Sequence, residues 1–487
     1  MPGLFLCGRE LALPEDDAYN AALTFMKSMS YISTRGQTRP MSFQDAVITG
    51  LAPDGGLLIP SDIPRVADRL PEWSKLSYQD ITFEILRLFV DLPDGDLRDL
   101  IERSYSTFRH PEIAPAWKVG PVHILELFHG PTLAFKDIAL QFLSNFFEYI
   151  LEHRGTHLNI LGATSGDTGS AAIHGVRGRD RMSIFMMHPH GRVAPLQEKQ
   201  MTSVLDPNVF NLAIEGTFDD CQRIMKTIFS DLQFKERFAL GAVNSVNWAR
   251  VVVQIVYYFS SGLYVMNTTG SKAVRFAVPT GNFGDILAGY YAARMGLPIS
   301  RLILATNEND ILARFFNTGD YSLGRVVPTI SPSMDIQVAS NFERYLFYKV
   351  GGDSRKLDGL FRQFASTGHL TIPRDDKGRV DDLFVAGVGR TSETLAVIKR
   401  YYEQYNYLMD PHTAVGVKVA ESCVDDGEPV ICLATAHPAK FSQAIQDATG
   451  KDLAHHEILD RLADAPTRCT VLPADEKRVK DYICAHA

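Results

Sequence analysis

The sequence predicts an α/β protein with open, mostly parallel sheets covered by helices. Short apolar runs alternate with helical patterns along most of the 487-residue chain, which is typical of parallel strands joined by helices. The length exceeds that of one simple core and favours two or three packed lobes. The composition, with 45% hydrophobic and 22% charged residues, is that of a globular protein. Ligands are therefore expected at the carboxyl ends of the strands.

Charge and cysteine content restrict the possible partners. The formal net charge of −8 disfavours a nucleic acid or an anionic membrane, because both favour a basic surface. The six cysteines are scattered without a C-x-x-C pair, so neither a zinc cage nor a disulfide framework is predicted. No apolar run approaches the roughly 20 residues of a membrane-spanning helix. We expect a cytoplasmic protein with no nucleic-acid or membrane partner.

Sequence patterns divide the chain into four segments. The short apolar run Leu4–Cys7 lacks a preceding basic residue and is too short for a signal peptide. Met29 is an alternative start to Met1, because a compact pattern follows it directly. The predicted segments are a leader or upstream extension over 1–28, an N-terminal helical lobe over 29–117, an α/β region of two lobes over 118–450, and a C-terminal helix and tail over 451–487.

Four apolar runs that end in small or polar residues are predicted to be buried strands. They are Leu158–Ala163, Val274–Val278, Arg301–Thr306 and Pro429–Leu433. Loop amides and helix N-termini converge beyond such strand ends, and they bind anions there. The loops that follow these runs are therefore the predicted location of the chemistry.

The loop Thr164–Ser170 follows the first strand and leads into a helix predicted to begin near Ala171. Its backbone N–H groups and hydroxyls would form a cradle for a carboxylate or a phosphate. A Gly/Ser-rich helix cap explains the pattern equally well, since the loop matches neither the P-loop nor the G-x-S-x-G spacing.

The loop Gly281–Asp285 repeats this design after the second strand. Its two glycines would let the backbone close on a phosphate, and its spacing is not that of a dinucleotide fingerprint. Thr435 lies just past the fourth strand, with His437 in the same loop. We predict structural roles for the histidines at the loops, and no metal site; these are His188, His190, His412 and His437.

Lys136 lies where a strongly apolar helical pattern begins. Apolar residues recur from Phe135 to Phe146 at three- and four-residue spacing, which predicts a buried helix. Most lysines are solvated surface groups, but a lysine beside apolar surface has a lowered pKa and can act as a Schiff-base amine. Lys136 is the candidate for that chemistry.

Taken together, these motifs resemble the threonine synthase family, within the fold-type II pyridoxal phosphate enzymes, and particularly its longer microbial and fungal branch. The resemblance covers nearly all of residues 29–450. The motifs that carry it are Tyr31–Gly36, Asp54–Leu57, His129–Thr132, Phe135–Asp137, Thr164–Gly169, Gln197–Thr202, Asn244–Arg250, Pro279–Asp285, Ser333–Gln337, Asp410–Thr413 and Thr435–Phe441.

The resemblance implies that pyridoxal 5'-phosphate is the cofactor and that Lys136 carries it. It also implies that Gly281, Asn282, Phe283 and Gly284 cradle the cofactor phosphate and that Thr435 faces the pyridine nitrogen. Asp167 would stand beside the phenolic oxygen, where many relatives have asparagine. A carboxylate beside an oxyanion must be protonated, paired or turned away, so the role of Asp167 stays open.

By the same resemblance, Asn247 and Arg250 bind the phosphate of the substrate, O-phosphohomoserine, with help from Ser165 and Thr168. The implied reaction is γ-elimination of phosphate followed by addition of water at the β-carbon, which yields threonine in the last step of its biosynthesis. A phospho-lyase that releases 2-oxobutyrate, a serine or threonine ammonia-lyase, and a non-catalytic small-molecule-binding protein on the same fold are the alternatives. The protein is expected to be a monomer or a homodimer.

Overall fold

The computed structural model describes residues 29–425 and 427–487. It is an α/β structure built on two main sheets, as the sequence predicts. The expected leader over 1–28, and with it the choice between two start codons, lies outside the described residues.

The N-terminal lobe is mainly helical. Ser42 and Ser77 cap two of its helices by accepting N–H donations from Asp45 and Asp80, as is usual for serine at a helix start. Its elements in chain order are β1 (Tyr31–Ser33), α1 (Phe43–Thr49), β2 (Leu58–Pro60), α2 (Leu70–Trp73), α3 (Tyr78–Leu86) and α4 (Asp94–Tyr105), with β1 and β2 antiparallel.

The central part of the chain alternates strands and helices. Its elements are β3 (Ala116–Val119), β4 (Val122–Glu126), α5 (Lys136–Arg154), β5 (Leu158–Ala163), α6 (Asp167–Val176), β6 (Met182–Pro189), α7 (Pro195–Thr202), β7 (Val209–Glu215), α8 (Phe218–Ser230), α9 (Leu232–Arg237), β8 (Leu240–Gly241) and α10 (Trp248–Thr269).

The last part of the chain returns to the same pattern. Its elements are β9 (Val274–Pro279), α11 (Gly284–Met295), β10 (Ile299–Thr306), α12 (Ile311–Thr318), β11 (Asp320–Ser322), α13 (Phe342–Lys349), α14 (Ser354–Thr367), β12 (His369–Thr371), β13 (Phe384–Val388), α15 (Thr391–Tyr405), α16 (Pro411–Glu421), β14 (Val430–Ala434), α17 (Ser442–Thr449), α18 (Glu457–Asp460), β15 (Thr470–Pro473) and α19 (Glu476–His486). Two 3-10 turns, Pro332–Met334 and Pro438–Lys440, lie close to the site described below.

The larger sheet has six strands in the order β13-β10-β9-β14-β4-β3. All neighbours are parallel except β3 and β4. Because β4, β14 and β9 are adjacent and parallel, their carboxyl ends meet at one edge of the sheet. Lys136, at the start of α5, and the loops that contain Thr435 and Gly281 follow these three strands, so the topology places them together.

The second sheet has five parallel strands in the order β15-β7-β6-β5-β8. Its edge strand β15 comes from the segment predicted to be a C-terminal helix and tail. The predicted helix is present as α19, and its apolar residues Val479 and Ile483 join the core with Leu161 and Phe185. The segment therefore completes this lobe, and the expectation of a tail is corrected.

The longest helices, α5 and α10, form the centre of the core. Phe43 and Trp73 of the N-terminal lobe pack edge-on against Phe146 of α5 and Phe259 of α10. Among the described residues, α10 is the one helix long and apolar enough to cross a membrane, and most of it is buried inside the protein. The sequence expectation that no apolar run reaches this length is corrected: α10 does, as a core helix.

Candidate active site

Lys136 is the first residue of α5 and lies in a buried position. Its side chain is 11% exposed, and the helix continues into the fully buried Ile138 and Phe142. Burial lowers the pKa of Lys136, and this effect outweighs the neighbouring charge of Asp167, which raises it. The charges of Lys440 and Arg250 lower the pKa further. A lysine held towards its neutral form is suited to act as a nucleophile or a base.

Asp167, the first residue of α6, joins the two lobes at this point. Its Oδ2 lies 3.5 Å from Lys136 Nζ, while its Oδ1 lies 2.6 Å from Lys440 Nζ and accepts a 2.9 Å hydrogen bond from Gln197. Burial favours the protonated form, but the charges of Lys440 and Lys136 hold the pKa of Asp167 well below its usual range. This carboxylate could be protonated, paired or turned away, and the structure shows it paired.

Lys440 ends the 3-10 turn Pro438–Lys440, and its side chain is fully buried. Besides Asp167, it donates to the carbonyl oxygen of Thr132 at 2.9 Å. The N–H and hydroxyl of Thr132 in turn donate to the carboxylate of Asp137 at 2.8 and 2.7 Å. The turn before α5 is thus held through Thr132 by two side chains, Lys440 and Asp137.

The loop Gly281–Gly284 follows β9 and opens α11. Phe283 has a left-handed backbone with φ of 64°, and its buried ring stacks on Phe316. The side chain therefore anchors the loop in the core. Asn341 holds the loop from outside by donating its backbone N–H and its amide to the Asn282 carbonyl, at 3.1 and 3.2 Å.

The N-terminus of α11 is free to bind an anion. Side chains cap α10 and α16, through Asn247 and Asp410, whereas among the described residues α11 has no capping side chain. The first N–H groups of an uncapped helix have no partner and carry partial positive charge. A Cβ at Gly281 would lie 2.5 Å from the Ser333 carbonyl oxygen, so the loop needs glycine there.

Thr435 follows the last residue of β14, the strand between β4, which leads to Lys136, and β9, which leads to the loop Gly281–Gly284. Its carbonyl accepts a 2.8 Å hydrogen bond from the N–H of Phe135, the residue before Lys136. An isolated bridge between Ala134 and Ala436 joins the same two loops. The backbone therefore fixes Thr435 beside the lysine.

Two histidines predicted to be structural have structural contacts. His412 pairs with Asp410 at 2.8 Å through Nδ1 and accepts the N–H of Ser333 at 3.3 Å through Nε2. His437 accepts the N–H of Ala439 at 3.2 Å and so caps its 3-10 turn. These contacts fix the loops around the site.

The comparison with known proteins decides the family. The family model "Threonine synthase N terminus" matches residues 30–105, "Pyridoxal-phosphate dependent enzyme" matches residues 105–358, and "Threonine synthase, C-terminal" matches residues 413–483. A threonine synthase of Schizosaccharomyces pombe is 47% identical over 455 residues, which cover 86% of this chain and 88% of that protein. The chain belongs to the threonine synthase family.

A solved structure and a more distant relative agree with this assignment. The crystal structure of PLP-bound threonine synthase from Brucella melitensis superposes with a TM-score of 0.90 at 44% identity, covering 94% of this chain and 99% of that one. The human protein "Threonine synthase-like 2" is 38% identical over 458 residues, covering 91% of this chain and 94% of that protein. The fold is thus fold-type II, and the protein is a pyridoxal-phosphate-dependent enzyme that acts on a small molecule.

The residues of this threonine synthase family member fit the cofactor. The uncapped N-terminus of α11, behind a glycine loop, suits the cofactor phosphate, and the buried amine of Lys136 suits its aldehyde. Thr435 is buried on the neighbouring strand end, where a ring nitrogen would meet a neutral hydroxyl. The required groups thus follow three adjacent strands of the larger sheet, β4, β14 and β9.

Arg250, in the first turn of α10, is the most unusual side chain at the site. It is 4% exposed, and its Nε and Nη1 have no hydrogen-bond partner in the described part of the chain. Burial lowers its pKa to about 10. A buried, unpaired guanidinium is costly, and an anion that binds in two-point fashion would remove that cost.

The other predicted substrate residues differ in availability. The amide oxygen of Asn247 accepts the N–H of Ala249 at 3.1 Å and its amide nitrogen donates to Val47 at 2.9 Å, so one N–H remains for a ligand. Ser165 is exposed and Thr168 is half-buried.

Sequence reasoning missed three participants, Lys440, Gln197 and Asn244. Lys440 and Gln197 contact Asp167, and the Asn244 amide oxygen is buried without a partner among described residues, six positions before Arg250. Each lies inside a motif that carries the family resemblance, which was the available signal. The contacts of Lys440 and Gln197 with Asp167 join distant parts of the chain, which local patterns do not reveal.

Proposed function

We infer that this protein is a threonine synthase that converts O-phosphohomoserine and water into threonine and phosphate. Membership of the family supports the assignment of the reaction, and one structural observation supports the assignment of the substrate. The buried guanidinium of Arg250 lies close enough to Lys136 to lower the pKa of that lysine, and its Nε and Nη1 lack partners in the described residues. It would supply a second anion site beside the lysine, as a phosphorylated amino acid requires.

The residues that hold the cofactor are proposed as follows. Lys136 carries it, the backbone of Gly281, Asn282, Phe283 and Gly284 holds its phosphate, and Thr435 and Asp167 meet the two polar positions of its ring. The bound cofactor supplies an electron sink for charge that develops at the substrate carbons. A hydroxyl at position 435 cannot keep the ring nitrogen protonated as a carboxylate would, so control of protons passes to Lys136.

Lys136 performs the proton transfers in this proposal. Once the substrate amino group has displaced it, Lys136 Nζ would be a nearby free amine that takes the proton from Cα, gives it up, and as a free amine again takes one from Cβ. Its lowered pKa, caused mainly by burial, keeps it able to accept a proton. In net terms the Cβ proton leaves with the γ-phosphate, water supplies a hydroxyl to Cβ and a proton to Cγ, and the proton taken from Cα is returned, which gives threonine and phosphate.

The substrate phosphate is assigned to the N-termini of α10 and α6. Arg250 would provide a persistent charge and a planar pair of donors, which suit a phosphate oxygen pair. Asn247, Ser165 and Thr168 would add one donor each. Because these groups bind only the phosphorylated substrate, an unphosphorylated hydroxyamino acid would leave the guanidinium unpaired.

Product analysis tests this function. The cofactor-loaded protein is incubated with O-phosphohomoserine, and threonine, 2-oxobutyrate and ammonia are measured against phosphate release. The proposal requires one threonine per phosphate. Dominant 2-oxobutyrate and ammonia would instead identify a phospho-lyase, and ammonia from serine or threonine alone would identify an ammonia-lyase.

We further propose that the protein acts in the cytoplasm as a monomer or homodimer, without a nucleic-acid or membrane partner. The net charge of −8 supports this proposal, since nucleic acids and anionic membranes attract basic surfaces. The cysteines of the described residues are free, which suits a reducing compartment.

A further inference from the structure

Lys440 is a buried lysine to which the proposed reaction assigns no step. It shares Asp167 with Lys136, since the two carboxylate oxygens face one ammonium each, at 2.6 and 3.5 Å. Its second partner, the Thr132 carbonyl, belongs to the turn that leads into Lys136. An ammonium so deeply buried persists only when it is paired and hydrogen-bonded, and Asp167 and Thr132 meet both conditions.

The charges around Lys136 come from several elements. Asp167 lies on α6, Lys440 on the 3-10 turn after β14, and Arg250 on α10, while His412 on α16 faces Asp167. Asp167 is the one anion among these groups. Without a second cation beside it, its charge would be balanced mainly by the ammonium form of Lys136, which is the form that neither attacks an aldehyde nor accepts a proton.

We propose that Lys440 is a positioning residue whose ammonium group neutralises and fixes Asp167, so that Lys136 remains a free amine. The inference rests on the proposed function, because it concerns the lysine that carries the cofactor. It goes beyond that function because it gives a role to Lys440, which is not one of the reacting groups. It also gives Asp167 a counterion within the protein.

A double-variant cycle tests the proposal through a step that precedes turnover. Pyridoxal phosphate is added to the cofactor-free protein, and growth of the visible absorbance band is followed as a function of pH. The variants are Lys440→Met, Asp167→Asn and the double variant. Lys480→Met serves as the control, because Lys480 lies on α19, away from the site, and its replacement breaks a 2.8 Å lysine–carboxylate pair with Asp231.

The cycle has a defined set of expected results. Lys440→Met leaves Asp167 to Lys136, so the pH profile of band formation should move up by roughly one pH unit or more, which is about a tenfold slower rate at neutral pH. Asp167→Asn should move the profile down, since two ammonium groups then face each other. The pH profile of the double variant should return towards that of the wild type. The pH profile of Lys480→Met should be the same as that of the wild type.

Two results would overturn the proposal. One is a Lys440→Met protein that forms the band with the rate and pH profile of the wild type. The other is a double variant that is no faster and no better folded than Lys440→Met, because Lys440 would then act for a reason unconnected with Asp167. Failure of the wild type to form the band or to produce threonine would instead count against the proposed function, so the two failures are distinguishable.

Discussion

Replacement of Arg250 by methionine should stabilise the cofactor-free protein while it damages catalysis. The guanidinium is buried without a full set of partners among the described residues, and burial lowers its pKa from its usual range to about 10. That difference corresponds to roughly 3 kcal/mol against the charged form at neutral pH. Removal of the charge should recover a part of this, about 1–3 kcal/mol, in the free energy of unfolding measured with denaturant.

The catalytic cost of Arg250→Met follows from the contacts that the substrate would lose. Two charge-assisted hydrogen bonds to a phosphate are worth about 3–6 kcal/mol in total. The value of kcat/KM for phosphate release should therefore fall by about 10²- to 10⁴-fold. Steady-state kinetics with O-phosphohomoserine measure this loss.

Arg344 provides the matched control for this prediction. It is equally buried, and burial lowers its pKa to about 10, but it donates to the carbonyls of Leu58 and Val246 and to the amide oxygen of Asn341. Arg344→Met should destabilise the protein because these acceptors lose their donors. The reasoning is refuted if Arg250→Met unfolds at lower denaturant than the wild type, or if its kcat/KM stays within a few-fold.

Two further predictions concern the loop at α11. Gly281→Ala would place a Cβ 2.5 Å from the backbone oxygen of Ser333, so the cofactor affinity measured by equilibrium titration should fall at least about tenfold. The control is Gly359→Ala in α14, where a Cβ would meet nothing within 4 Å, and it should leave the cofactor affinity unchanged. Burial raises the pKa of Asp285 to about 7, so its favourable contribution is complete below about pH 4 and is lost as the pH rises through about 7. The wild type should lose free energy of unfolding between about pH 5 and about pH 8, and Asp285→Asn should lose roughly 2–3 kcal/mol less over the same range. An equal loss in the two proteins would contradict this.

The strands and loops of the site were predictable because their signals are local. The runs predicted around Leu158–Ala163 and Val274–Val278 are β5 and β9, and the glycine loops follow the carboxyl ends of these strands as expected. α6 begins one turn earlier than near Ala171. Gly166, with φ of 150°, turns the chain there, and the Thr164 hydroxyl accepts its N–H and that of Gly169.

What sequence patterns missed depends on contacts between distant segments. Lys440 follows a strand in a polar loop and reads as a surface charge until Asp167, from the other lobe, is placed beside it. The strand β15 is short, half-exposed and at a sheet edge, so its apolar pattern is weak; its pairing with β7 decides its conformation. The state of Asp167 could not be inferred, since it depends on both lysines.

In the proposed function, Lys136 carries the cofactor and the protein converts O-phosphohomoserine into threonine. The most direct test incubates the cofactor-loaded wild type and Lys136→Ala with O-phosphohomoserine, and measures phosphate and threonine together with the visible absorbance of the protein. The wild type should release one threonine per phosphate, and Lys136→Ala should lose the visible band and both products. Phosphate and threonine formation that survives the alanine substitution would contradict the claim.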